Sequence, residues 1–282
     1  MGNKILLFGN SGTVGTSVEK VCETKNIEYA GLNHSDVEVT NREEVQKAIE
    51  DYSPSVVINS VAVIGINPCE QDPVGTFNIN AIAASYMAKE CEKHGITFVQ
   101  PSSHAVFDGF KDSYYTEYDP PVPLSMYSAS KYMAEVFAMN LCSRHYVVRF
   151  PTMFGPRRNN KPGFVDKVIE KMKNGEPLKI ADDKTDSPTY TLDVAEELIN
   201  LIESNAPYGV YHLANSGMTT YYELVKKIKD ILGFNSDLEA GKDADFPALA
   251  HKPLKTSMKS AKLSPLRPWE EALEDYLATY CK

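Results

Sequence analysis

Short unbroken apolar blocks alternate with amphipathic stretches through the first half of this chain. KILLFG at 4–9 is the first block, closed by glycine, as expected of a strand buried on both faces. A helix is predicted over 12–23, with Val14, Val18 and Val21 on its apolar side. IEYAGL at 27–32 reads as a second strand. TNREEVQKAIEDY at 40–52 reads as a helix, with Thr40 as its cap and a glutamate three residues on. SVVINS at 55–60 is a third strand, 76–94 a helix, and ITFVQPSS at 96–103 a fourth strand. A helix over 126–143 leads into the fifth strand, YVVRF at 146–150.

Strands separated by single helices form parallel crossover units. The pattern therefore predicts an α/β fold, a Rossmann-type doubly wound parallel sheet. The rhythm breaks after Phe150, where prolines and glycines crowd 151–163. Helices follow near 163–174, 191–204, 219–232 and 268–280, with a short strand at 209–214. This half lacks the strands for a parallel sheet of its own. The expected division is a dinucleotide-binding domain, 1–150, and a smaller substrate-binding lobe, 151–282, parts of which return to the first domain.

Composition narrows the functional classes. The 282 residues carry 29 basic and 38 acidic side chains, a net charge of −9, with a pI near 5.3. Neither nucleic acid nor an anionic membrane is the expected partner, because both need a basic face. No apolar run reaches the roughly 20 residues of a membrane helix, and the N-terminal block reads as a strand, not a signal peptide. The five cysteines are scattered, with no C-x-x-C pair, so no disulfide framework or zinc knuckle is expected. The acids and histidines show no metal-ligand spacing either, and no metal is assigned. A reducing, cytoplasmic setting is the simplest expectation.

The loop GNSGTVG at 9–15 joins the first strand to the first helix. Gly9 permits the tight turn, Gly12 lets the backbone approach a pyrophosphate, and Gly15 lets the helix pack close to the sheet. Phosphate oxygens would meet the free amides of the helix N-terminus. At the end of the second strand, where an acid favours NAD and a base NADP, the run is LNHSDVEVT. It offers Asn33 and His34 and no clear acid until Asp36 and Glu38, so NADH and NADPH both stay open.

Tyr127 and Lys131 stand four apart on the helix at 126–143 and share a face. A nearby ammonium stabilises a phenolate, which draws a tyrosine toward catalytic range. Ser102 and Ser103 close the fourth strand, at the carboxyl edge where open α/β sheets bind ligands. A second such pair, Tyr222 and Lys226, has no phosphate loop or strand end beside it and reads as surface.

With these residues in place, the chain resembles the extended short-chain dehydrogenase/reductases, and within them the dTDP-4-dehydrorhamnose reductases. The resemblance runs in order through GNSGTVG, PSVVINSVA, EQDPVGTFNINA, VFDG, YSASK, DSPTYTLDVA, GVYHLANSGMTTYYELVKKI and RPWEEAL. It implies reduction of a nucleotide-bound 4-keto-6-deoxy sugar by NADH or NADPH, with the nucleotide sugar as partner and a homodimer as an admissible assembly. Tyr127 would protonate the C4 oxygen, Lys131 would hold the cofactor ribose, and Ser103 would hydrogen-bond the same oxygen. Gly12, Thr13 and Val14 would lie against the pyrophosphate, Glu38 and Val39 near the adenine, and Ala62, Val63 and Ile64 beside the nicotinamide.

Three departures from the family pattern cluster on the sugar side. An acid is replaced by His104, an aromatic by Ala105, and a substrate-facing tryptophan by Thr152. Losing two aromatic faces removes stacking area and enlarges the pocket. Two rival readings come with the resemblance. One is a bifunctional epimerase–reductase, which would need a cysteine where Ala105 stands. The other is a non-catalytic dinucleotide-binding regulatory subunit.

Overall fold

The structure is a computed structural model that describes residues 3–159 and 161–281. The outer limits of the two expected domains, Met1 and Lys282, lie outside the described residues. In chain order the first half runs β1 (Lys4–Phe8), α1 (Thr13–Lys25), β2 (Glu28–Leu32), α2 (Arg42–Tyr52) and β3 (Val56–Asn59). It continues through α3 (Ile66–Gln71), α4 (Pro73–Phe77), a π-turn (Asn78–Ile82), α5 (Ala83–His94), β4 (Thr97–Ser103), α6 (Met126–Leu141) and β5 (His145–Phe150). The second half runs β6 (Met153–Phe154), α7 (Phe164–Lys173), β7 (Leu178–Ala181), β8 (Thr185–Asp186), β9 (Thr189–Tyr190) and α8 (Thr191–Glu203). After these come β10 (Gly209–His212), β11 (Asn215–Ser216), β12 (Thr219–Thr220), α9 (Tyr221–Leu232), β13 (Leu238–Gly241), β14 (Leu266–Pro268) and α10 (Trp269–Tyr280).

The main sheet has six parallel strands in the order β10-β5-β4-β3-β1-β2. Alternation within each strand feeds two cores. Ile5, Leu7, Val56, Ile58, Tyr146 and Val148 point to the face covered by α1 and α8. Leu6, Phe8, Val57, Phe98 and Val147 point to the face covered by α2, α5 and α6. Both faces being dry is what makes these strands read as unbroken apolar blocks. A third apolar cluster joins α7, α9 and α10, with Trp269 and Tyr190 inside it.

The order in which strands are added reverses at β1: β2 lies on one side, and β3, β4, β5 and β10 on the other. The register places Phe8, Leu32 and Asn59 side by side, and Ser103 beside Phe150. Loops leaving these carboxyl ends diverge and open a crevice there. The second half contributes the edge strand β10, paired to β5 from Gly209↔Tyr146 to His212↔Arg149. It also contributes α8, which packs on α1.

Some local details differ from the sequence reading. Asn41, not Thr40, caps α2 by accepting from the amides of Glu43 and Glu44, because Thr40 is turned to the Glu38 carboxylate. Among the described residues no side chain caps α8. Thr191 Oγ1 accepts from Ser17 at 2.7 Å, and Asp193 is clamped by Arg267. The single helix expected over 76–94 is interrupted by the π-turn.

Candidate active site

Gly9 has φ +83, and a Cβ there would lie 2.8 Å from the Ser60 carbonyl carbon. Gly15 is confined equally: a Cβ would sit 2.7 Å from Asn10 Cα, with the Gly9 carbonyl closer still. Gly12 differs. Its nearest neighbour would be the Gly9 carbonyl oxygen at 3.6 Å, ordinary contact. Gly12 is also the N-cap of α1 and supplies no side-chain acceptor, so no cap covers the first amides of the helix. The bare backbone at Gly12 faces open space, as a phosphate approach requires.

Two adjoining cavities share Gly12, Ser60, Val61, Ala62 and Asn159 and form one cleft over the sheet edge. The smaller, about 260 Å³, holds Gly9, Asn33, His34, Glu38 and Val39. Glu38 is fixed by the amide and hydroxyl of Thr40, which hold its carboxyl below the usual range. Asn33 and Asp36 bond within their own turn. The larger cavity, about 510 Å³, holds Thr13, Val14, Val63, Ile64, Tyr127 and Lys131, together with Arg157 and Lys161. Gly15 lies behind this surface. Ser103 lies against the Tyr127 phenol.

Helix α6 delivers the pair. Ser125 and Ser128 form a reciprocal cap, and Glu70 accepts from the Met126 amide at 2.6 Å. Tyr127 is therefore held in a closed first turn. Its ring opens partly into the cavity yet is enclosed by protein. Burial pushes the phenol above its ordinary value, while the Ser103 hydroxyl pulls it down. Lys131 is 4% exposed, and no described residue hydrogen-bonds or pairs with its ammonium. Burial draws it down to about 8, opposed by Glu135. Lys131 follows Tyr127 by one turn of α6, and both line the larger cavity.

His104 and Thr152 lie outside the lining of both cavities and meet each other through Asp186. The Thr152 amide donates to Asp186 Oδ2 at 3.0 Å, and His104 Nε2 is 3.8 Å from the same oxygen. Tyr221 shares a 2.5 Å hydrogen bond with Thr152 Oγ1 and reaches Asp186 at 3.5 Å. Asp186 opens DSPTYTLDVA and Tyr221 stands in GVYHLANSGMTTYYELVKKI, yet sequence reasoning singled out neither, because their meeting with His104 and Thr152 joins segments distant in the chain. Tyr190 is 2% exposed and stacks on Phe154, so it is a buried corner and not part of the cleft. Lys226 pairs with Glu223 on the surface, as expected of the second Tyr–Lys spacing.

Asn80 was also missed. It stands in the π-turn, fully buried. Its Oδ1 accepts from the Val63 amide at 2.7 Å, and its Nδ2 donates to the Val63 carbonyl and to Ser130 Oγ, both at 2.9 Å. Ser130 in turn donates to the Tyr127 carbonyl. One amide thus ties the Val63 loop to the helix of Tyr127. The available signal was a polar residue within the apolar run NINAIAA, and π-turns concentrate at such sites. Cys69 is close enough to act on Tyr127, but it is buried and burial raises its thiol, so it stays protonated.

A family profile described as the RmlD substrate binding domain matches residues 3–282. The chain is 29% identical to the spore coat polysaccharide biosynthesis protein SpsK of Bacillus subtilis, over 97% of this chain and 96% of SpsK. It is 27% identical to a dTDP-4-dehydrorhamnose reductase of Aggregatibacter actinomycetemcomitans, over 98% of each. A crystal structure of dTDP-4-dehydrorhamnose reductase from Bacillus anthracis in complex with NADP superposes with TM-score 0.93 at 25% identity, covering 99% of this chain and 100% of that one.

Proposed function

The chain belongs to the family described as the RmlD substrate binding domain, and from that premise we propose that it reduces the C4 ketone of a nucleotide-linked 4-keto-6-deoxy sugar. It is an oxidoreductase of the extended short-chain type that uses NADH or NADPH, with chemistry like that of dTDP-rhamnose synthesis. One observation carries the reading. A phenol, a hydroxyl and a buried ammonium with no partner among the described residues meet in a cleft that also holds a bare glycine turn.

The residues present fit a dinucleotide. A buried ammonium without a partner is costly, and a ribose diol is the kind of group that would satisfy it. When bound, the reduced nicotinamide supplies the hydride that C4 accepts. Tyr127 gives its phenolic proton to O4. Burial keeps that proton in place at neutral pH, so the residue arrives in its donor form. Ser103 hydrogen-bonds the same oxygen, and Lys131 holds the ribose hydroxyls. Gly9, Gly12, Thr13, Val14 and Gly15 shape the pyrophosphate site. Glu38 and Val39 lie by the adenine, and Ala62, Val63 and Ile64 by the nicotinamide.

The division into 1–150 for the dinucleotide and 151–282 for the sugar belongs to the same proposal. So does a sugar-side wall of His104 and Thr152, backed by Asp186 and Tyr221. We further propose a homodimer in the cytoplasm. Five cysteines without disulfide partners fit a reducing setting; among the described residues no helix is long and apolar enough to cross a membrane.

The test is NADH and NADPH oxidation, followed at 340 nm, with a panel of thymidine, uridine and guanosine diphosphate 4-keto-6-deoxy sugars. Turnover on at least one supports the proposal. Tight dinucleotide binding with no turnover on any, together with a co-purifying partner, would replace it with the regulatory-subunit reading.

A further inference from the structure

Behind the catalytic helix, a buried carboxylate joins three elements. Glu135 lies one turn beyond Lys131 on α6 and is wholly buried. Arg149 on β5 grips it with Nε to Oε1 at 2.9 Å and Nη2 to Oε2 at 2.7 Å. The Ser102 hydroxyl, at the end of β4, donates to the same Oε1. All three side chains are buried. Stability is a weak reason for such a pair, because well-packed apolar replacements are often neutral or better.

Position suggests another reason. Ser102 precedes Ser103, Arg149 precedes the cavity residue Phe150, and Glu135 follows Lys131 by one turn. We propose that Glu135 is a positioning residue for the reduction, locking the strand end of Ser103 against the helix of Tyr127 and Lys131 and supplying the counter-charge to Lys131. This rests on the reductase reading above.

The other ionisable groups around Lys131 do not supply that charge. Cys69 on α3 and Tyr127 on α6 hold their protons. Glu70 on α3 is engaged with the Met126 amide at the helix start. Arg149 faces Glu135, and Arg157 and Lys161, which also line the cavity, are basic residues and not acids. Glu135 is the one group that raises Lys131 against burial. Losing its charge lets Lys131 shed its proton at lower pH.

The full-length enzyme is compared with Glu135→Gln, which keeps size but not charge, Glu135→Asp, which keeps charge, and Ser102→Ala, which cuts the strand tie and keeps the Arg149–Glu135 pair. Three readouts are taken: the pH profile of kcat/KM, the titration of Lys131 by NMR of 13C-labelled lysine in the cofactor-free protein, and Tm. In Glu135→Gln the alkaline limb and the Lys131 titration both move down by roughly one pH unit, while Glu135→Asp leaves both in place. Ser102→Ala lowers kcat about tenfold, at an unmoved limb. A folded Glu135→Gln with both titrations unmoved overturns the counter-charge. Unchanged kcat in Ser102→Ala overturns the positioning role, and this arm decides even if Glu135→Gln does not fold. If no keto sugar is reduced by the wild type, the reductase reading fails, while the Lys131 titration still tests the charge coupling.

Discussion

Lys131 is held between opposed demands. Burial draws its ammonium down to about 8, and the helix places no described partner on it. The dinucleotide ribose is the group proposed to take its hydrogen bonds, so Lys131→Met should weaken NADPH binding. Hydrogen bonds from a charged donor are worth about 1.5–3 kcal/mol, so the dissociation constant, read by cofactor fluorescence, should rise roughly 10- to 100-fold. An unchanged constant would remove Lys131 from the cofactor site. At this scale legibility followed locality. Tyr127 and Lys131 could be paired from helical spacing, and Ser103 from its strand end. Asn80, Glu135 and Arg149 could not, because each is defined by partners distant in sequence: Val63 for Asn80, and Arg149 on β5 for Glu135 on α6.

Between glycine turn and helix, elements make separable predictions. Gly15→Ala must push a Cβ into backbone of the turn, so it should lower Tm and dinucleotide affinity together. Gly12→Ala meets only ordinary contact, at a φ of −74 that alanine tolerates. It should keep the wild-type Tm within about 1 kcal/mol of stability yet bind NADPH more weakly, by blocking the phosphate approach. Equal damage from both would mean that Gly12 is structural. The π-turn adds a third case. Asn80→Ala leaves the Val63 amide and carbonyl without their partner and should cost about 1–3 kcal/mol, read by urea denaturation, with slower turnover as the Val63 loop detaches from α6. The regular elements of the first half were legible because two dry faces impose apolar runs. The π-turn was not, since one extra residue in a helix leaves the apolar pattern almost intact.

Across the whole molecule, the second half is bound to the first by β10 and α8, and that junction carries its own pH dependence. His212 ends β10, edge-on to Phe107, with its amide on the Glu117 carboxylate at 2.9 Å. Burial, with Arg149 adding to it, holds the ring down to about 4, from an ordinary 6.5. The unfolded chain takes up this proton below pH 6.5, and the native ring refuses it until about 4. Stability is therefore full above 6.5 and falls as pH drops through that window, by at most about 1.4 kcal/mol per pH unit from this group. His212→Gln should be less stable at neutral pH but decline less steeply from 6.5 to 4; an identical slope would assign the loss to other groups. The parallel sheet and the second-half helices were visible in the sequence as periodicity. That parts of the second half return to the first was expected, but not that β10 is the strand that does so, because a four-residue strand carries no mark of its neighbour. The central claim, a phenol giving its proton to a ketone under reduction, is tested most directly at Tyr127. Tyr127→Phe should bind NADPH as the wild type does, while losing about 10²–10⁴-fold in kcat on the keto sugar that the wild type reduces. Turnover within a fewfold of the wild type would contradict it.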